Sequence, residues 1–512
     1  MKARQWLLIR QLTQIFSLGL FLYLFVITAL PTITAKETNI FFQLNPLTTL
    51  IAFLAGNYAI PYGLALLTVV VTLVFGRVWC GWFCPLGTLL EWLSLHPKRI
   101  IKRGSSNIEV KPPPESWRKL KGMLLLVLIF AALVGNQSLI FLDPITLLNR
   151  SLSTALFPAL RYAVFQTEAF LYHFPWLWDG LDSFHQFFVY PLFQDVTVVF
   201  QHGLLIFVLF ALVVGLNLLT ERFWCRYLCP LGAIFGYLSK MALFQRRVSN
   251  QCSACGLCSA RCPTGTIDAQ NDYRSDPMEC TVCYECFTAC ARQDISYRAQ
   301  REKTEKYIYD ISRRDAFYAF ATALGSVALA GLEPIHKRAP EYLIRPPGSL
   351  KNAFDSLCIR CGECVRVCPT QGLQPTLNEA GWQNIFTPHL VPRLGYCSYS
   401  CNACGEICPS GAIPSLAIAE KRSTAIGLAY INHDRCLPWA YATPCIVCEE
   451  ACPLPEKAIR LEEAILEDGS SLQRPKVLLE LCIGCGICEF QCPMGGEAAI
   501  RVTTWTEVSR VY

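Results

Sequence analysis

Charge is scarce in this chain. Of 512 residues only 16% are Asp, Glu, Lys or Arg, against 53% hydrophobic, a balance that excludes a disordered or wholly soluble polypeptide. The net charge of +6 is small and is not gathered into a basic face with interleaved aromatics, so nucleic-acid binding is set aside. Histidine is sparse too. Of the seven, only His202 sits at the edge of a long apolar run, which leaves a bis-histidine haem inside a bilayer without ligands. No C-x-x-C-H string occurs, so covalently attached haem is absent. Neither G-x-G-x-x-G nor G-x-x-x-x-G-K-[ST] occurs, so no phosphate loop for a nucleotide is present.

What is abundant is apolar sequence and cysteine. Runs at 7–30, 60–76, 122–141 and 203–219 approach the roughly 20 residues that cross a bilayer and predict four spanning helices. The loop 96–121 carries eight Lys or Arg, whereas 34–59 carries only Lys36. By the positive-inside rule the N-terminus, with Lys2, Arg4 and Arg10, and that loop are cytoplasmic. The aromatic-rich stretch 151–200 is then expected outside, as interfacial helices that anchor to the bilayer.

These spans read as a duplication. The string "FFQLNPLTTL" (41–50) echoes "IFLDPITLL" (140–148), and each is followed by a span ending in a cysteine pair, "GRVWCGWFCPLG" from Gly76 and "ERFWCRYLCPLG" from Glu221. The two strings agree at seven of twelve positions. A parallel repeat places both pairs at one membrane face, where Cys80, Cys84, Cys225 and Cys229 converge as a shared metal site or as two redox-active dithiols. The alternative is a helix end merely packed by buried cysteine.

The other 24 of the 28 cysteines fall in runs with the C-x-x-C-x-x-C-x-x-x-C-P spacing that wraps an iron–sulfur cluster. Zinc uses the same thiolates, but four cysteines per run with a following proline favour clusters over tetrahedral zinc. "CSACGLCSARCP" and "CTVCYECFTAC", within 252–290, make a bacterial two-cluster ferredoxin, apart from Ala291 where proline usually follows the fourth cysteine. In that fold the fourth cysteine of each run ligates the other run's cluster. The expected sets are therefore Cys252, Cys255, Cys258 with Cys290, and Cys280, Cys283, Cys286 with Cys262. The same exchange further on gives Cys358, Cys361, Cys364 with Cys408; Cys397, Cys401, Cys404 with Cys368; Cys436, Cys445, Cys448 with Cys492; and Cys482, Cys485, Cys488 with Cys452. The gaps Cys397–Cys401 and Cys436–Cys445 are longer than usual. Six [4Fe-4S] clusters are expected, with a seventh metal centre at the membrane cysteines as a further expectation, and no haem or nucleotide.

Between the ferredoxin runs lies "ISRRDAFYAFATALGSVALAGL" (311–332), which reads like an export leader in mid-chain. Ser312, Arg313 and Arg314 precede an apolar segment with a small-residue Ala328-Leu329-Ala330 exit. Twin arginines mark a route for folded cargo, so a fifth span here would place clusters on both sides of the membrane. Phe317 sits one place later than the usual pattern, and Lys337 and Arg338 fall on the outer side. The alternative is a buried helix packed on the membrane domain with all six clusters cytoplasmic.

The fold expected is an α-helical membrane domain with an internal two-helix repeat, joined to α+β bacterial-ferredoxin-like modules. Its parts are a four-helix membrane domain (1–245), a cytoplasmic two-cluster ferredoxin (246–300), the twin-arginine-like segment (301–340) and a four-cluster, outer-side polyferredoxin (341–512).

With these residues assembled, the chain resembles a fusion of two subunits of the quinol dehydrogenase of the periplasmic nitrate reductase system. One is the membrane subunit with two C-x-x-x-C-P motifs and a cytoplasmic ferredoxin. The other is its exported four-cluster partner, matched by "RPPGSLKNAFDSLCIRCGECVRVCP" (345–369), the Cys436–Cys445 gap and "CIGCGICEFQCP". The resemblance implies a multi-pass protein of the bacterial inner membrane with its C-terminal domain in the periplasm. It also implies oxidation of quinol from the membrane pool and delivery of electrons to a periplasmic or membrane redox partner, a cytochrome or a reductase. Arg77, Glu221 and Arg222, near the paired cysteines, are candidates to orient or deprotonate the quinol head group, or simply to snorkel at the membrane edge. Relatives with C-x-x-x-C-P motifs also serve metal-enzyme maturation, and electrons can run the other way, from a cytoplasmic ferredoxin outward or into the quinone pool.

Overall fold

The structure is a computed structural model and describes residues 3–28, 38–54, 56, 63–94, 115–193, 200–299, 312–331, 343–349, 354–377, 379–465 and 469–504. The basic stretch 96–114, Lys36 and the pair Lys337 and Arg338 lie outside the described residues. About half the chain is helical, and ferredoxin-type domains carry its strands. It divides into two compact units, each discontinuous in sequence. One comprises Met1–Ile27, Glu37–Leu148 and Val208–Leu329; the other comprises Thr28–Lys36, Asn149–Phe207 and Ala330–Tyr512. The units cut across a boundary at 245, because residues 149–207 group with the C-terminal cysteine runs.

Helix Ala3–Ile27 of the first unit is long and apolar enough over Arg4–Ile27 to cross a membrane; shorter apolar helices cover Gly63–Phe75 and Pro230–Ser239 in the same unit, and Gly203–Leu218 begins in the second unit and ends in the first. Leu8, Leu12, Phe16, Leu66, Val70 and Leu212 are exposed large apolar side chains on these helices. The predicted span over 122–141 is helical over Glu115–Leu133 instead, because Gly135 in the left-handed region and Asn136 end it. Two short helices open on Asn45 and Asp143, each followed by proline at the first helical position. Asn45 Oδ1 accepts from Leu47 N–H, Asp143 Oδ2 from Ile145 and Thr146, and Asn45 Nδ2 donates to Asp143 Oδ1 at 2.7 Å, so the two echoing segments meet.

The mid-chain leader-like segment forms helix Arg313–Gly331. Ser312 and Asp315 cap it reciprocally, Asp315 N–H to Ser312 Oγ at 3.1 Å and Ser312 N–H to Asp315 Oδ2 at 3.0 Å. Its small face, Ala319 and Ala323, is buried against Met123, Leu126, Val127 and Phe130 of helix Glu115–Leu133. A helix this rich in alanine can approach its neighbour closely, which is the packing that leucine in those places would prevent.

Each ferredoxin is closed by a short antiparallel pair. Strands Phe244–Val248 and Ile295–Ala299 flank the runs at 252–290, with Arg246 opposite Tyr297. In the second unit, strands Leu428–Ile431 and Ile500–Thr503 flank the runs at 436–492 in the same way, and the hairpin Ile459–Ile465 with Ser471–Val477 lies between them. Leu373–Pro375 pairs with Pro388–Leu390 beside the first two runs of this unit. A single core built from Ile344, Phe354, Val365, Ile413, Ile431, Ile500 and the inward cysteines runs through all four of these runs.

Candidate functional site

All 28 cysteines are free of disulfides. Four runs share one backbone device. The second residue between the first two cysteines is left-handed at Ala254, Val282, Arg360 and Gly484, and so is the residue after the second cysteine at Gly256, Tyr284, Gly362 and Gly486. Four of these eight positions, Gly256, Gly362, Gly484 and Gly486, carry no Cβ penalty, and Ala254, Val282, Tyr284 and Arg360 hold the conformation against their own sterics. The turn aims successive N–H groups and thiols to one side, the concavity that suits an anionic cluster. The two runs with long first gaps lack this repeat: Cys397–Cys404 has no left-handed residue, and Cys436–Cys448 has only Ala442.

Several thiols lie within electrostatic reach of one another. Cys364 is within electrostatic reach of Cys361, Cys358 and Cys408; Cys404 of Cys397, Cys368 and Cys401; Cys448 of Cys436, Cys445 and Cys492. Cys485 is likewise near Cys482 and Cys452, with Cys488 beside Cys485 and Cys482. In the first unit Cys283 neighbours Cys262 and Cys286, and Cys280 neighbours Cys262. Cys258 neighbours Cys252 and Cys255, and Cys290 packs against the same small core. One cavity is lined by Cys358, Cys361, Cys364 and Cys408 together, and another by Cys436, Cys445, Cys448 and Cys492. Backbone N–H groups of Ile413, Ala429 and Ala499 donate to the sulfurs of Cys408, Cys482 and Cys492 at 3.4–3.5 Å. Converging thiols, space between them and N–H donors to sulfur fit an iron–sulfur cluster. Burial pushes the thiol of Cys358 up to about 11 and those of Cys286, Cys448 and Cys485 up to about 12. Loading a cluster here must therefore release protons.

The C-x-x-x-C-P cysteines form a separate group. Each C-x-x-x-C-P string folds as a five-residue π-helix, Trp79–Phe83 and Trp224–Leu228, that stops where proline forbids a helical conformation to the residue before it. That residue, Cys84 or Cys229, turns extended and caps the next helix through its sulfur, which accepts from Gly87 N–H at 3.4 Å or Gly232 N–H at 3.2 Å. Cys80, Cys84, Cys225 and Cys229 are all buried and within electrostatic reach of one another.

Against this group sits the ferredoxin loop 278–283. Trp82 Nε1 donates to Val282 O at 3.0 Å, Arg77 Nη1 to Met278 O at 2.6 Å and Arg10 Nη1 to Cys283 O at 3.5 Å. A Cβ on Gly81 would collide with the Thr281 carbonyl oxygen, and one on Gly236 would lie 2.9 Å from Met278 O. The glycines are what let the loop approach this closely. Arg77 and Arg222 are each 1% exposed, so neither snorkels. Arg77 also meets Glu279 at 3.3 Å, and Arg222 donates to Cys80 O at 3.1 Å and to Glu91. Glu221 is partly buried on the same turn.

In the second unit a corresponding loop, 358–364, is held by residues no motif singled out. Asn149 Nδ2 donates to Cys361 O at 2.9 Å, Arg150 Nη1 to Arg360 O at 3.4 Å, and the Arg150 guanidinium lies 4.0 Å above the Phe386 ring. Arg366 covers the Phe157 ring at 4.2 Å. Burial lifts the carboxyl of Glu363, which bonds to Asn149, to about 7. The signal available in the sequence was the polar triplet Asn149-Arg150-Ser151 inside an otherwise apolar stretch. His202 Nε2 meets Glu379 Oε1 at 2.8 Å beside the same unit's strands.

The comparisons agree with this chemistry. The family "4Fe-4S binding domain" matches residues 60–104 and 202–251, "4Fe-4S dicluster domain" matches 357–412, and a further "4Fe-4S binding domain" matches 475–496. The first match covers the two C-x-x-x-C-P strings. The methylamine utilization ferredoxin-type protein MauM of Paracoccus denitrificans is 36% identical over 208 residues, 38% of this chain and 87% of the relative. Ferredoxin-type protein NapG of Escherichia coli is 35% identical over 188 residues, 36% of this chain and 80% of the relative. An uncharacterized protein of Methanocaldococcus jannaschii is 27% identical over 230 residues, 45% of this chain and 75% of the relative. No solved structure matches. Converging cysteine sets and two relatives covered over most of their length lead to one conclusion: the chain belongs to the iron–sulfur, ferredoxin-type family of MauM and NapG, whose chemistry is electron transfer.

Proposed function

We propose that this protein is a membrane-bound quinol dehydrogenase component that passes electrons from membrane quinol through six [4Fe-4S] clusters to a redox partner protein. The observation that carries the reading is the seating of ferredoxin loop 278–283 on the two C-x-x-x-C-P turns, in the same unit as the apolar helices. A cluster relay joined in this way to a bilayer-embedded domain has a use only if its electron donor or acceptor is dissolved in the bilayer. Each cluster supplies one-electron chemistry, and a series of them relays the two electrons of a quinol in steps.

The chain's residues supply the rest. The exposed apolar rows on Ala3–Ile27 and Gly63–Phe75 face lipid, and the aromatic helices between 157 and 193, with Trp176, Phe187 and Phe188 outward, lie in the interface. The membrane domain is a two-helix repeat whose echoing segments meet at Asn45 and Asp143. The sets named by exchange are the ligands: the pair of sets from 252–290 on the cytoplasmic side and the four from 358–492 on the outer side. The fusion of membrane and exported subunits joins both in one chain of the bacterial inner membrane. Quinol binds near the paired cysteines, where Glu221 is the candidate left partly open to accept a proton, while Arg77 and Arg222 face inward.

The test is to mix anaerobically purified, oxidised protein with a menaquinol analogue and follow the iron–sulfur absorbance and EPR signals. Prompt reduction is expected. Reduction by dithionite or a reduced cytoplasmic ferredoxin, with none by quinol, would overturn the quinol reading in favour of outward flow or a maturation role.

A further inference from the structure

The four cysteine runs of the second unit are not covered alike. In three of them the stretch between the first two cysteines is buried or tied down by the chain itself. Ile359 and Arg360 are 2% and 1% exposed, and Asn149 and Arg150 donate to this stretch. Lys421 Nζ donates to Ser398 O, and the Arg422 guanidinium lies 4.7 Å above the Tyr399 ring. Ile426 N–H donates to Ile483 O at 3.0 Å, and a Cβ on Gly484 would collide with the Gly427 backbone. The fourth stretch, the long gap between Cys436 and Cys445, carries five consecutive exposed residues, Ala440 to Pro444, and Ile446 beyond the cysteine is exposed as well.

This loop is bare but held. The Trp439 ring stacks on His433 at 3.8 Å and lies under the Arg474 guanidinium at 4.8 Å, and its Nε1 donates to Pro475 O at 3.1 Å. Thr443 N–H closes the loop on Leu437 O at 3.1 Å, across Ala442 in the left-handed region. A conformation fixed in this way, strained at a residue with a Cβ and ending in an exposed tip, is a preorganised surface. The tip is apolar, with Tyr441 61% and Ile446 41% exposed, and no residue from Leu437 to Cys448 carries a charge. At its base Cys436, Cys445, Cys448 and Cys492 line one cavity together with Leu437 and Pro438.

The same set stands at one end of a row. Cys364 is within electrostatic reach of Cys404, Cys397 N–H donates to Cys485 O at 2.8 Å, and Cys488 is within reach of Cys448. The sets that begin at Cys358, Cys397, Cys482 and Cys436 therefore adjoin in that order, which is not their order along the chain. The Cys358 end is held by Asn149 and Arg150. The Cys436 end carries the bare loop.

We propose that loop 437–446 is the docking surface through which this row of clusters passes single electrons to a one-electron carrier protein whose own centre opens on an uncharged, apolar face. Charge at the tip would select an oppositely charged partner, and its absence selects an apolar one. Electron-transfer encounters are small, which suits a tip of a few side chains. In the step the cluster held by the Cys436 set is oxidised and the carrier's centre is reduced, with no bond made and no proton moved. This rests on the electron-transfer reading and its cluster sets, not on quinol as the donor.

The test uses the full chain, purified without oxygen, reduced with dithionite, freed of it and mixed with an oxidised monohaem c-type cytochrome chosen for an apolar haem rim, while the haem absorbance is followed. Tyr441→Asp/Ile446→Asp should slow the second-order rate about tenfold or more, with iron content and cluster EPR signals equal to those of the parent. Should that double variant lose iron, Tyr441→Ser alone carries the same test with a smaller slowing. The parent's rate should change less than about twofold between about 20 and 200 mM salt. Ile465→Asp, at a bare apolar side chain on the far end of the hairpin from Pro475, should leave the rate unchanged. No oxidation of the parent, a loop variant as fast as the parent, or an equal loss in Ile465→Asp would overturn the proposal. A parent without cluster iron would overturn the electron-transfer reading, and this proposal with it, so the two failures are told apart.

Discussion

Two cluster loops of the same sequence pattern, 280–286 in the first unit and 358–364 in the second, are held in different ways. Both turn through left-handed residues at the same two places, Val282 and Tyr284 in one, Arg360 and Gly362 in the other. That turn points N–H groups toward the thiols and leaves carbonyls facing outward, and outward carbonyls that become buried need donors. The first unit answers with Trp82, Arg77 and Arg10 over a glycine floor at Gly81. The second answers with Asn149 and Arg150. The loop's chemistry dictates that a docking partner brings side-chain donors; it does not dictate which.

The largest expected effect tests the glycine floor. Gly81→Val pushes a side chain into the Thr281 carbonyl and should cost about 3 kcal/mol or more. The matching change, Gly362→Ala, meets no atom nearer than Arg150 Cα at 3.5 Å and pays only for its φ of +83°, about 1–2 kcal/mol. Thermal loss of each unit's cluster EPR signals measures both. Equal losses would mean that the close approach at Gly81 is not what seats the loop.

Acid should separate the units next. Among the described residues of the first unit there is no histidine, whereas the second buries His389 at 7% exposure, with Nδ1 at 3.1 Å from Gln374 O and Glu379, Arg345 and His202 around it. Burial holds this imidazole well below its ordinary value, at about 4. A depressed base contributes stability that is complete above the unfolded value near 6.5 and is lost as pH falls toward 4, about 3 kcal/mol in all. Melting of the second unit's clusters should therefore shift to lower temperature over that window, and His389→Gln should flatten the dependence. A parallel shift in the first unit would point to a cause common to all clusters.

Spacing alone pointed to two long-range neighbours: Cys364 lies near Cys408 and Cys404 near Cys368, across 36 to 44 residues. Asn45 and Asp143 were legible as an echo, though not that they hydrogen-bond. The docking was not. Trp82 meets Val282 and Asn149 meets Cys361 some 200 residues apart, through backbone carbonyls that carry no residue identity. Nor was the burial of Arg77 and Arg222 visible, since a basic residue beside an apolar run reads the same whether it snorkels or is buried. Ser312-Arg313-Arg314-Asp315 shows one string carrying two messages: the serine and aspartate that frame the arginines also form a capping box.

The smallest effects come from removing single donors, and they sharpen the contrast most. Asn149→Ala deletes the bond to Cys361 O and the partner of buried Glu363 together, leaving two acceptors unsatisfied, so about 2–3 kcal/mol is expected. Trp82→Phe keeps an aromatic ring against Tyr284 and removes the N–H that reaches Val282 O together with part of the buried indole. Because Arg77 and Arg10 still hold the same loop at Met278 and Cys283, the cost should be about 1 kcal/mol. The same melting measurement decides it. If Trp82→Phe proves the costlier, the indole is the main tie of the loop and the arginine donors at Met278 and Cys283 add little to it.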